Sequence, residues 1–146
     1  MLYSVGVMPM SVHRADRADS EMQFIITAQE LYAATVQQYT KIPKRYTFLA
    51  ALPFVEMAGE ILDHVVEGNS FPVTNQHEAQ LRRDQFLLAQ ATIRSLTCRI
   101  EALMRIPNVQ ILDVDTMEAW MKKLDKELIL LRAVMKSDRA RYKNLP

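Results

Sequence analysis

The sequence lacks most of what marks an enzyme or a secreted domain. Its one cysteine, Cys98, excludes a disulfide framework within the chain. A lone thiol among apolar neighbours reads as a small buried hydrophobe, in keeping with a reducing cytoplasm. The three glycines, Gly6, Gly59 and Gly68, are too few for a phosphate-cradling loop, and no GxGxxG or Walker pattern occurs. Turn residues are too sparse to break the chain into short strands. No apolar run reaches the length of a membrane span, and the opening "MLYSVGVMPM" has no basic segment ahead of its apolar one, which Pro9 interrupts. An excess of either charge is missing too: 18 Lys and Arg stand against 17 Asp and Glu, so only the local distribution of charge can point to a partner. His13, His64 and His77 have no metal-ligand spacing with Cys98, and the Glu-x-x-His of di-iron bundles is absent, since Glu60 and His64 lie four apart. Ser70 and Ser95 have no positioned base in any readable pattern. The expectation is a protein without catalytic groups, cofactor or metal.

What the chain has is helical periodicity over enough length to bury a core, with 49% apolar residues in 146. Residues 1–19 read as a flexible leader, with Met8 and Met10 as alternative starts. Residues 20–137 read as four helices, and 138–146 as a basic tail. The first helix, Ser20 to Tyr39, carries Ile25, Ala28, Tyr32, Thr35 and Tyr39 at steps of three and four, widened by Phe24, Leu31 and Val36. Pro43 helps to end it. Thr47 is placed to cap a second helix, whose stripe is Leu52, Val55, Gly59, Leu62 and Val66, with Gly68 at its C-terminal stop. Pro53 predicts a kink there or a later start. Asn75 with Glu78 opens a third helix, with Phe86, Ala89, Ile93, Leu96, Ile100 and Leu103 on one face. Asp115 with Glu118 opens a fourth, where Met117, Met121, Leu124, Leu128, Leu131 and Met135 keep a spacing near 3.5. Short connections between such helices predict an all-α, up-down-up-down antiparallel four-helix bundle. Leu81, Leu87, Leu88, Trp120, Ile129, Leu130 and Val134 widen the third and fourth stripes. They serve either a broad core or an interface with further copies or another protein.

The charges are grouped. "KIPKRYTF", residues 41–48, sets Lys41, Lys44 and Arg45 around Pro43, with no acid. The third helix bears Arg82, Arg83, Arg94, Arg99 and Arg105, while Glu56, Glu60, Asp63 and Glu67 form an acidic stripe on the second. Arginine clusters attract phosphate and hold it in bidentate geometry. The third-helix arginines either follow a nucleic acid, pair with the acidic stripe of their own or a neighbouring subunit, or meet another protein. Tyr46 beside Arg45 is either a base-stacking platform or a packed anchor.

The turn Pro43-Lys44-x-x-Thr47, the helix end "EILDHVVEGN" and the third-helix run "LRRDQFLLAQATIRSLTCRIEAL" together resemble the accessory variability determinant proteins of diversity-generating retroelements, over residues 21–136. Members of that family are small four-helix bundles that assemble as ring-shaped homopentamers. They have no known catalytic activity and bind the element's reverse transcriptase and its template RNA in support of mutagenic cDNA synthesis. The resemblance implies a homo-oligomeric, cytoplasmic, nucleic-acid-binding partner of a reverse transcriptase. Lys44 is the motif-matched cation and Lys41 and Arg45 adjoin it, with Arg82, Arg83, Arg94 and Arg99 as further contacts to RNA or DNA. The alternative is a structural or protein-binding bundle without a nucleic-acid role. The bundle proteins encoded in intervening sequences of bacterial large-subunit ribosomal RNA are of that architecture, and their Asn-Ile-Ala-Glu-Gly segment is echoed in "VVEGN".

Overall fold

A computed structural model describes the backbone of residues 12–146 and the side chains of residues 22–146. Among these residues there are four α-helices and no strand: α1 (Val12–Lys41), α2 (Leu52–Asn69), α3 (Gln76–Leu103) and α4 (Val114–Arg141). The expected leader lies outside the described residues as far as residue 11. Its remainder, from Val12, belongs to α1, so this helix begins earlier than Ser20. Phe24, Ile25, Ala28, Leu31 and Thr35 of α1 are buried as their spacing requires, while Val36 and Tyr39 remain on the surface.

The two prolines set the join between α1 and α2. Pro43 is extended (φ −54°, ψ 144°) and starts a 3-10 turn, Lys44–Tyr46, which runs into a π-helical turn, Thr47–Ala51. Thr47 does not cap a helix; its own backbone is helical, at φ −58° and ψ −53°. Pro53 is the physical reason. It has no N–H, and inside an α-helix its ring would strike the carbonyl four residues back. The wider π turn absorbs this and leaves Pro53 in the first turn of α2, where proline is tolerated.

Helix α2 turns a different face inward from the one its spacing first offers. Phe54, Ala58, Ile61, Val65 and Gly68 are buried, while Leu52 and Val66 are 37% and 47% exposed. The helix carries two apolar stripes side by side, and contact chooses the one through Phe54, Ala58, Ile61 and Val65. A Cβ on Gly68 would come within 2.6 Å of the Phe86 ring. Gly68 is therefore a close-approach residue inside α2 rather than its terminator, and the helix continues to Asn69.

In α3 the expected stripe holds throughout: Phe86, Ala89, Ile93, Leu96, Ile100 and Leu103 are all buried. Asn75 accepts a hydrogen bond from the Glu78 N–H at 2.9 Å, and the Glu78 carboxylate accepts one from the Thr74 N–H at 2.8 Å. The cap of α4 sits two residues earlier than expected, at Asp113, whose carboxylate accepts from the Thr116 N–H and hydroxyl at 2.8 Å each. The inward face of α4 is Trp120, Leu124, Glu127, Leu131 and Met135, with Met117, Met121 and Leu128 only half-buried. Trp120 draws this face round. Its ring packs edge-on against Phe54 at 5.6 Å, and its N–H donates to the Thr35 hydroxyl at 3.0 Å. The expected basic tail is the last turn of α4 and a tied-down turn. Gln76 donates through its side chain to the Tyr142 and Leu145 carbonyls (2.7 and 3.1 Å) and through its backbone N–H to Pro146 (2.9 Å). Among the described residues no helix is long and apolar enough to cross a membrane.

Candidate nucleic-acid interface

The turn between α1 and α2 presents its cations to solvent. Lys41, Lys44 and Arg45 are all exposed. Lys41 closes α1 near the start of α4, close enough to Asp113 to help hold that carboxyl below its usual range, behind the larger effect of the Thr116 hydrogen bonds. Arg45 lies over the Tyr46 ring at 5.1 Å, and Tyr46 is half-buried against the core, so the tyrosine acts as a packed anchor that also steadies the guanidinium. The π-helical turn adds two side chains that charge reasoning alone passes over. Phe48 and Leu49 are each 80% exposed, the most exposed of the large apolar residues among those described. A bulky ring held in water beside exposed cations is the pairing that single-stranded nucleic acid uses, with bases on the aromatic face and phosphates on the charges. Phe48 was present in "KIPKRYTF", but its outward direction depends on the π turn, which spacing does not reveal.

The α3 arginines do not form one track. Arg82 is buried and leaves the candidate set. Its Nε donates to one oxygen of Asp138 at 2.7 Å and its Nη2 to the other at 3.3 Å, while the guanidinium lies over the Phe86 ring at 4.8 Å. Arg83 is half-buried, and Arg94 and Arg99 are exposed. At ~100° per residue, Arg83 and Arg94 share a flank of α3 and Arg99 lies ~140° round from Arg94. Pairing with the acidic stripe of α2, one of the alternatives, is not found among the described residues of the chain. Glu56, Glu60, Asp63 and Glu67 are exposed, and the ion pairs among the described residues are those of Asp138 with Arg82 and Arg141. Cys98 also departs from expectation: it is exposed on the outward side of α3. Its apolar sequence neighbours occupy the opposite, inward side, so adjacency along the chain misled.

Among the described residues no three His, Cys, Asp or Glu side chains come together as a metal-ligand set. His64 is engaged with the Gln85 side chain through Nδ1 at 2.8 Å. Among the described residues the one strongly perturbed acid is Glu127, which lies in the core, 0% exposed, with neither oxygen partnered; burial pushes its carboxyl up to about 9. Comparison with protein-family models, with curated proteins and with solved structures gave no match.

Proposed function

We propose that this chain is a non-catalytic accessory protein of a diversity-generating retroelement, which binds a reverse transcriptase and its template RNA in the cytoplasm. The observation that carries the reading is the exposed turn of Lys41, Lys44, Arg45 and Phe48, where cations and an unburied ring lie within one short stretch. Neither the 3-10 turn nor the start of α2 requires those side chains.

The arrangement proposed for the helices is an up-down-up-down antiparallel bundle. Three contacts support it: Gln76 meets Tyr142, Arg82 meets Asp138, and Gln90 meets Met135, so positions rise along α3 as they fall along α4. The proposed assembly is a ring of like subunits. The outward side of α3 carries Leu87 and Leu88, 42% and 49% exposed, flanked by Arg94 and Arg99. The acidic stripe of α2 has no ion-pair partner among the described residues and lies beside exposed Leu52 and Val66. An apolar, basic face on one copy complements an apolar, acidic face on the next, and a head-to-tail contact of that kind gives a ring when the rotation between copies closes. The second reading, a protein-binding adaptor, is favoured by Leu49, an apolar side chain as exposed as Phe48 but with no aromatic face to offer a base.

The test is the affinity for a structured RNA measured by fluorescence anisotropy across a salt series. Lys44→Gln with Arg45→Gln is expected to weaken binding about tenfold and to lower the salt slope by about 2. Phe48→Ala is expected to weaken it without changing that slope. Unchanged RNA affinity in both variants would leave the adaptor reading in place.

A further inference from the structure

A second cluster of cations lies where α3 begins and α4 ends, and it is concave. A groove of ≈ 290 Å³ runs between the two helices, with Arg83 on one wall, Arg139 and Lys143 on the other, and Ala79, Met135 and Tyr142 along it. Its single carboxylate, Asp138, is spent. Both oxygens accept from Arg82, and Oδ1 also accepts from Arg141 at 2.9 Å. Arg83, Arg139 and Lys143 have no ion-pair partner among the described residues. Three cationic side chains thus line the groove beside one acid whose charge is already matched by Arg82 and Arg141, which lie outside its lining. Like charges in a concavity raise one another's energy, and an anion entering it relieves them all together.

The walls are held in place. Gln76 ties the turn after α4 to the start of α3, which fixes Tyr142 and Lys143 across from Arg83. Arg141 lies over the Tyr142 ring at 4.8 Å and stiffens it further. The groove is much larger than a bare phosphate and sits at the lower end of small-molecule sites. Met135 and Ala79 give it an apolar portion beside the charges.

We infer that this groove binds a phosphate ester of mononucleotide size, with phosphate on Arg83, Arg139 and Lys143 and the organic part against Met135 and Tyr142. The site is separate from the turn of residues 41–48. Lys41 lies near Asp113 at the head of α4, and Asp113 and Asp138 are roughly 38 Å apart along a helix of 1.5 Å rise. The same chemistry is offered by a free nucleotide and by the 5′-phosphorylated end of an RNA.

The full chain is titrated by calorimetry with ADP, with inorganic phosphate, and with a short oligonucleotide carrying either a 5′-phosphate or a 5′-hydroxyl. Arg139 and Lys143 are exposed, so Arg139→Gln with Lys143→Gln leaves the core alone. The expected result is saturable binding of ADP, tighter than that of inorganic phosphate, about tenfold weaker in this variant and unchanged in Lys44→Gln with Arg45→Gln. If the variant also discriminates less between the two oligonucleotides, the RNA end is a source. If it weakens ADP alone, the free nucleotide is. No saturable binding of ADP, equal binding of ADP and phosphate, or equal loss in the two variants would overturn the assignment.

Discussion

Raising the pH from about 5 to about 8.5 is expected to remove several kcal/mol of folding stability, and Glu127→Met to abolish most of that loss. Glu127 is fully buried between Leu124 and Leu131 on the inward face of α4, and both its oxygens lack a partner. Burial raises its carboxyl from 4.5 to about 9, and the neighbouring Lys126 opposes this by less. The folded chain therefore keeps a proton that the unfolded chain releases above its ordinary value. The contribution is fully present below the unfolded value and is lost as pH rises through the folded one, at about 1.4 kcal/mol per pH unit at most. A total of several kcal/mol is a large fraction of the stability of a domain this size. Met replaces the acid with an apolar chain of similar length and leaves nothing to ionise. Urea midpoints of both proteins at the two pH values decide it. Wild type should lose stability with pH while the variant stays level and exceeds it at the higher value. Parallel profiles would mean that Glu127 is hydrated or partnered.

Arg82→Ala is expected to cost about 3 kcal/mol of stability, the lower end of what breaking a buried ion pair costs, because Arg141 still reaches Asp138. The pair side chains are 7% and 13% exposed, and the Arg82 guanidinium also covers the Phe86 ring. Replacing both partners, Arg82→Met with Asp138→Leu, should recover most of the loss, since no unpaired charge then remains buried. Denaturant melts of the three proteins measure this. An Arg82→Ala variant as stable as wild type but weaker toward RNA would restore Arg82 to the surface set.

The sequence was readable where one apolar stripe ran along a helix without a rival. In α3, Phe86 to Leu103 stands alone on its face, and all six residues are buried. In α2 two stripes compete, and the choice rests on Gly68 meeting Phe86, which lies outside the helix being read. In α4, counting apolar residues passes over Glu127 and undervalues Trp120, whose burial depends on Thr35, 85 positions away. The same limit applies to the site. The exposure of Lys44 and Arg45 follows from a proline-broken turn and is legible locally. The withdrawal of Arg82 is not, because Asp138 is 56 residues distant. Phe48 points outward because Pro53 forces a π turn, an effect of backbone chemistry that periodicity cannot register.

Under the proposed function, a non-catalytic assembly of helical subunits would carry RNA on exposed cations. Light scattering coupled to size exclusion tests it most directly, on the protein alone and with a structured RNA, at low and at moderate salt. The expected result is a defined oligomer near five subunits that gains the mass of the RNA at low salt and loses it as salt rises. A monomer whose mass is indifferent to RNA at both salt concentrations would contradict it.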